Sequence, residues 1–287
     1  MPAGEYPIEF EPSSRTGGRE MTHSVLERAA FGDTPGALDL PAATDARGHW
    51  LRAVALGGQG RYAAARADLA QMQRCGPGPV LASLAASTEA SLLRQLGWHA
   101  LAVGHDGRAL ALIGGSDADA DAASVAARCD ALTGLAADAL GCGRFPLGFR
   151  LLERCGAVAD SPDPALWRQR IRWHWVNAEM SLATGDAESG RRHAAAALEL
   201  AGGGESVRHQ VKSALLLAAA RSAGPDPAAA AGPARRVLDS CEEHGLVPLQ
   251  WAASMLLGGV QPSDEASAVR ERCERRIAAW GGRFREL

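Results

Sequence analysis

Hydrophobic and polar residues from His49 to Pro77 follow the period of two amphipathic helices, with apolar positions on one face of each. Gly60 separates the two segments, and Gly76-Pro77 ends the second. Gly readily adopts the left-handed backbone conformation that ends a helix, and Pro cannot continue one. The stretch therefore predicts two helices joined by a tight turn.

Five later segments repeat this outline. Each has a short turn, one or two polar or aromatic residues, and a small residue five positions after the turn. The turns are Gly60, Gly97, Gly143, Gly185, Gly224 and, in a weaker sixth copy, Gln261; the small residues are Ala65, Ala102, Gly148, Gly190, Ala229 and Ala266. Successive turns lie from 37 residues (60 to 97) to 46 residues (97 to 143) apart. Such periods are typical of two-helix repeats, which bury a continuous core only when stacked.

The turn pattern resembles the tetratricopeptide repeat. Tyr62 and Phe145 follow turn glycines, as in that family, and Ala65 occupies its small position. His49-Trp50 and His174-Trp175 lie at matching distances before Gly60 and Gly185. The resemblance covers residues 45 to 280. It implies an all-α, right-handed solenoid of about six antiparallel helix hairpins, whose first helices line a concave groove that binds a protein or peptide segment.

The N-terminal region differs from the repeats. Residues 1–22 are rich in Pro and Gly, which predicts a flexible tail before a single domain at 23–287. Tyr6, Ile8 and Phe10 alternate with other residues, so an alternative is a segment that lies in the groove or against a partner. Ser24 is positioned to cap a helix at 25–31, which would cover the first repeat. The charged helix after Gln261 would cover the last.

Net charge, cysteine spacing and the lack of long apolar runs indicate which cell compartment and which kinds of binding to expect. The net charge is −3, which gives no global case for nucleic acid, and only Lys212 among 30 basic residues is Lys. Six cysteines form no CxxC pair or zinc-type spacing, so we expect reduced structural thiols and no metal. The absence of a leader pattern or long apolar run predicts a soluble cytoplasmic protein without membrane contact.

An aspartate-rich run, residues 116–121, has the opening of a calcium-binding loop. The sixth and twelfth positions of such a loop require Gly and Glu, but Ala122 and Arg128 occupy them. Capping of the next helix is therefore the expected role of these aspartates.

The predicted helix at 164–184 combines tryptophan and arginine. Trp167, Trp173 and Trp175 interleave with Arg168, Arg170 and Arg172, which could stack bases or bind phosphates. Helical spacing divides the helix differently. It places Arg168, Arg172, Trp175 and Glu179 on one face, and Trp167, Ile171, His174 and Ala178 on another. Nucleic-acid binding and a packed structural helix are thus both open.

No catalytic motif occurs in the sequence, so we expect a protein that is not an enzyme and has no cofactor. Within the resemblance, the groove positions lie about 13, 10, 6 and 3 residues before each turn. The candidate partner-binding residues at these positions are Arg47, Trp50, Arg94, Arg172, Trp175, Glu179 and Arg221. A register shift of one residue would instead place Trp50, Trp175 and Trp251 in the core.

The functional prediction is an adaptor or scaffold that binds a protein or peptide segment. The alternatives are a sensing module that acts on a transcription regulator, and nucleic-acid binding through residues 164–184. The sequence does not predict the partner's identity or an oligomeric state.

Overall fold

A computed structural model describes residues 13–114 and 121–286, with side chains from residue 18 onward. The described residues form an all-α fold that contains no strand, as predicted. Its thirteen α-helices are α1 (Ser13–Phe31), α2 (Ala46–Gln59), α3 (Tyr62–Arg74), α4 (Pro79–Arg94), α5 (His99–Ile113), α6 (Ala122–Gly141), α7 (Phe145–Arg154), α8 (Trp167–Ala183), α9 (Ala187–Gly202), α10 (Val207–Ser222), α11 (Ala231–Glu243), α12 (Val247–Val260) and α13 (Asp264–Ala279). Short 3₁₀ turns occupy Gly156–Val158, Pro164–Leu166 and Pro227–Ala230.

Each of the six predicted turns falls between two consecutive helices. Gly60, Gly97, Gly143 and Gly185 have φ between 70° and 87°, a left-handed conformation that most residues avoid. Gly224 does not have a positive φ, and the chain after it forms a 3₁₀ turn that begins at Asp226-Pro227. The turn residues were therefore the most reliable sequence signal of helix boundaries.

The small residues after the turns let consecutive helices approach closely. Five of the six predicted positions are buried: Ala65, Ala102, Gly148, Gly190 and Ala266. In the fifth copy the prediction is wrong by one residue, since Ala229 is exposed and Ala230 is buried. The 3₁₀ turn at Pro227–Ala230 has fewer residues per turn than an α-helix, which changes the residue that faces inward.

Alternate helices form the inside of the fold. Helices α2, α4, α6, α8, α10 and α12 contact one another in chain order, and α12 also contacts α2. We call these six the inner helices. Each packs against the odd-numbered helix that follows it. The inner helices therefore form a closed circuit of contacts rather than an open row.

The first and last parts of the described chain pack against each other. One hydrophobic core includes Leu26 of α1 and Ile277 of α13, both almost fully buried. The C-terminal segment continues along the N-terminal helices: the Arg285 N–H donates to the Leu96 carbonyl at 2.9 Å, and the Trp98 indole N–H donates to the Arg283 carbonyl at 2.7 Å. Helix α1 packs against α2 and helix α13 packs against α12, the first and last of the predicted repeats, and both helices contribute to this one core.

The N-terminal boundary also differs from the prediction. Helix α1 begins at Ser13, within the expected tail, and continues through Gly17 and Gly18. Tyr6, Ile8 and Phe10 lie outside the described residues, so the hypothesis about them stays a prediction.

Several smaller predictions concern metals, thiols and membranes. Residues 116–120 of the aspartate run lie outside the described part, whereas Asp121 caps α6 by accepting from the Ser124 N–H at 2.7 Å. All six cysteines are free thiols. In the described ranges, no cluster of His, Cys, Asp and Glu is arranged to hold a metal ion. Within those same ranges, no helix is both long and apolar enough to cross a membrane.

Candidate functional site

A cavity of about 350 Å³ lies between the inner helices, and all six contribute side chains or backbone to its wall. We call it the central cavity. Residues that represent the six helices in order are Gly58, Arg94, Thr133, Arg172, Arg208 and Trp251. A smaller cavity of about 60 Å³ adjoins it and shares Ser91, Gln95, Arg168, Arg172 and Arg208. Helices distant in sequence thus converge on one cavity.

One end of the wall is an ion-pair network centred on Arg94. Its Nη1 donates to Asp106 Oδ2 at 2.5 Å, Asp138 Oδ1 at 3.0 Å and the Gly134 carbonyl at 3.2 Å. Both carboxylates are fully buried, and burial raises the pKa of Asp106 to about 6 although Arg94 opposes the shift. A Cβ at Gly134 would lie 2.2 Å from Asp106 Oδ2, so only Gly fits there. The positive charge of Arg94 is therefore already matched within the fold.

Asp130 pairs with two of the three arginines of α8, Arg168 and Arg172. Its carboxylate is 2% exposed and accepts from Arg168 Nη2 at 2.5 Å and Gln169 Nε2 at 3.1 Å. Arg172 Nε lies 3.1 Å from the other carboxylate oxygen. Burial lowers the pKa of Arg172, and Asp130 only partly offsets that effect. Two guanidinium groups thus share one buried carboxylate.

Arg208 has no carboxylate partner among the described residues. Its Nη1 donates to the Val54 carbonyl at 3.2 Å, and its guanidinium lies 6.0 Å from the Phe31 ring. Burial, together with repulsion from Arg168 and Arg172, lowers its pKa to about 10. The fold therefore holds this charge close to two like charges without local neutralisation.

Aromatic and aliphatic side chains form another part of the wall. Trp175 stacks on the buried His209 with ring centroids 5.2 Å apart, and its indole N–H donates to Ser213 Oγ at 2.8 Å. Burial keeps the pKa of His209 well below its usual value, so this ring is neutral. Trp251 donates to Glu274 Oε1 at 3.0 Å, which leaves its ring as an apolar surface. The cavity thus combines charged and apolar walls.

Four of the seven predicted partner-binding residues line the central cavity: Arg94, Arg172, Trp175 and Glu179. Trp50 lines the smaller cavity and is only 7% exposed, while its indole N–H donates to Thr88 Oγ1 at 3.1 Å. It serves both core and wall. Trp251, for which groove and core were both open, lines the central cavity.

Arg47 and Arg221 lie outside both cavities. Arg47 is exposed and pairs with Glu27, and Arg221 is exposed near the end of α10. The predicted groove positions missed Arg208, which lies 16 residues before Gly224, one helical turn earlier than the first position considered. Extending those positions by one turn would have found it.

The arginines and tryptophans of α8 do not form an exposed stripe. Arg168 and Arg172 pair with Asp130, Trp167 packs 4.9 Å from His209, and Trp173 donates to the Leu152 carbonyl. None of these four side chains is exposed. The helix therefore presents the face that carries Arg168 and Arg172 to the cavity, and helical spacing correctly placed these two residues on one face.

No protein-family model matches the chain, and none of the curated proteins matches it in sequence. The functional argument accordingly starts from the cavity and its chemistry.

Proposed function

We propose that the chain is a non-catalytic binding protein that holds a segment of a partner protein in the central cavity. The observation that carries this proposal is the convergence of all six inner helices on one cavity with charged and apolar walls. Binding sites for small groups are concave, largely apolar and equipped with a few placed polar groups. The cavity has these properties.

We further propose that the architecture is a degenerate tetratricopeptide-like solenoid of right-handed antiparallel hairpins, with its ends in contact. The regular turn spacing and the buried small residues support this interpretation. In such a stack the first helices of the repeats together form an extended concave inner surface, and solenoid proteins use that surface for binding. The inner helices occupy that place here.

The volume of about 350 Å³ accommodates a few residues of an extended peptide, not a folded domain. Ser91, Gln95 and Thr133 supply polar groups for peptide amides, and Trp175 and Trp251 supply apolar surface for side chains. Nothing in the wall pairs a nucleophile with an available base. Ser206, the partner of His209 at 2.7 Å, is buried and does not line the cavity.

A cavity of this size also fits a small effector, so a sensing module that acts on a transcription regulator remains the second candidate. Nucleic-acid binding has less support, because none of the arginine and tryptophan side chains of α8 is exposed.

The test is an unbiased selection of peptides from a displayed library by the purified chain. Ala137 lines the cavity on α6, whereas Ala195 is exposed on α9. We expect wild type and Ala195→Trp to select the same peptides, and Ala137→Trp to lose them because the indole fills the cavity. Melting temperatures would show that both variants are folded.

Two outcomes would contradict the proposal. One is the selection of no peptide by wild type. The other is the selection of the same peptides by folded Ala137→Trp, which would move the interface away from the cavity.

A further inference from the structure

The side chains of Arg168, Arg172 and Arg208 line both cavities, and we call them the guanidinium cluster. Asp130 is the one carboxylate that pairs with any of the three in the described structure. Three positive charges thus face one negative charge. The other cations of the central cavity are matched differently, since Lys212 pairs with Glu179 at 2.8 Å and Arg94 with two carboxylates.

The side chain of Arg208 is held in place by packing against α2, despite the repulsion from Arg168 and Arg172. A Cβ at Gly58 would lie 3.0 Å from its Nη1 and 3.1 Å from its Cδ, so its side chain lies against the bare backbone of α2. Among the described residues it makes one hydrogen bond, which uses one of its five guanidinium N–H groups. The fold therefore provides room for a cation whose remaining donors are not used by protein groups.

We propose that the guanidinium cluster binds an oxyanion of the ligand, a carboxylate or a phosphate. A guanidinium presents paired N–H donors that match the two oxygens of such groups. The bound anion would neutralise the excess charge and supply Arg208 with the partner it lacks. This inference rests on the proposed function in taking the central cavity as the ligand site.

The adjoining groups favour an oxyanion that carries an apolar group. His209 is neutral, so it adds no competing charge, and Trp175 stacks against it. Leu249 and Trp251 line the same cavity. The C-terminal carboxylate of a peptide whose last residue is apolar combines an oxyanion with an apolar group. A phosphate on a side chain of the partner would also supply oxyanion oxygens to the guanidinium cluster.

The experiment measures calorimetric binding of three probes to the full chain at low salt. The probes are N-acetyl-leucine, N-acetyl-leucinamide and inorganic phosphate. We expect saturable binding of N-acetyl-leucine and at least tenfold weaker binding of its amide. If phosphate binds and N-acetyl-leucine does not, the oxyanion site stands and its source is phosphate. If no probe saturates, or the acid and the amide bind equally, the site is refuted.

Variants on a single helix locate the binding. Arg208→Met should weaken oxyanion binding at least tenfold, whereas Arg221→Met, exposed on the same helix, should leave it unchanged. Arg208→Met should also keep or raise the melting temperature, because it removes a cation without a carboxylate partner. Arg208→Lys keeps the charge without the paired donors and should lose several-fold in affinity. Wild-type affinity in folded Arg208→Met or Arg208→Lys would overturn the assignment.

The probes and the peptide selection can fail separately. Selected peptides that bind equally well after every carboxylate is amidated would refute the oxyanion site and leave the peptide-binding function intact. Saturable, Arg208-dependent binding of a probe, together with a selection that yields no peptide, would support the oxyanion site and refute the peptide-binding function.

Discussion

Asp130 is the residue on which the charged wall of the cavity depends. Its buried carboxylate pairs with both Arg168 and Arg172, and no second carboxylate pairs with either in the described structure. We predict that Asp130→Asn lowers the free energy of unfolding by about 3–5 kcal/mol, because it leaves two cations unpaired beside Arg208. Urea unfolding monitored by circular dichroism gives this value.

The matched control is Glu179→Gln in the same cavity. The Lys212–Glu179 pair is about 30% exposed on both sides. Solvent screens such a pair, so its loss should cost no more than about 1 kcal/mol. Equal effects of the two substitutions would show that the Asp130 network contributes no more than a surface ion pair.

At the residue scale, helical spacing predicted which side chains share a face but not what they face. It grouped Arg168, Arg172, Trp175 and Glu179 correctly, and all four line the cavity. Asp130, which binds two of them, lies on α6, and such pairing across helices depends on how the helices pack. Arg208 was missed because the groove positions were projected one helical turn too short.

At the element scale, Gly190 of α9 is a packing residue. A Cβ at Gly190 would lie 2.8 Å from both Cγ and Cδ2 of Leu182, across the contact between α9 and α8. We predict that Gly190→Ala destabilises the fold by about 1–3 kcal/mol, because the two helices must separate or Leu182 must leave its rotamer. Urea unfolding measures the change.

Gly107 provides the opposite case. It lies exposed within α5, and a Cβ there meets nothing within 4 Å. Gly107→Ala should therefore stabilise the chain by about 0.5–1 kcal/mol, since Ala loses less backbone entropy in a helix. A stabilising Gly190→Ala would refute the packing role.

Element boundaries were predictable because they depend on local chemistry. The turn glycines act through backbone conformation, which neighbouring residues determine. The fifth repeat shows the limit of this reasoning. A 3₁₀ turn at Pro227–Ala230 moved the buried small residue from 229 to 230, and a fixed five-residue offset cannot anticipate that change.

At the scale of the whole molecule, contact between the two ends was not predictable from the repeat pattern. The pattern describes how consecutive helices meet, whereas contact between the ends depends on the angles accumulated over the thirteen described helices. Some of the contacts that join the ends are backbone hydrogen bonds, such as Ala63 N–H to the Trp280 carbonyl at 2.9 Å. Such bonds leave little trace in side-chain identity.

Contact between the ends predicts a specific effect of Phe284, because the residues on either side of it hydrogen-bond to Trp98 and Leu96. The Phe284 ring itself stacks on Trp251 of α12, with centroids 4.6 Å apart. Phe284→Ala should cost about 2 kcal/mol, below the range for a fully buried Phe because this one is partly buried. Arg283→Ala should be nearly neutral, since its side chain is 84% exposed and only its carbonyl binds Trp98.

Hydrogen exchange then distinguishes a closed array from an open one. In an open array, loosening the C-terminus would accelerate amide exchange in the last repeat alone, because each repeat depends on its neighbours. In the closed array, Phe284→Ala should accelerate exchange in α13 and also in α3, which is bonded to Trp280 through Ala63. Exchange in α6 and α7 should change least. Acceleration confined to α12 and α13 would mean that the end-to-end contact contributes little to the stability of the N-terminal helices.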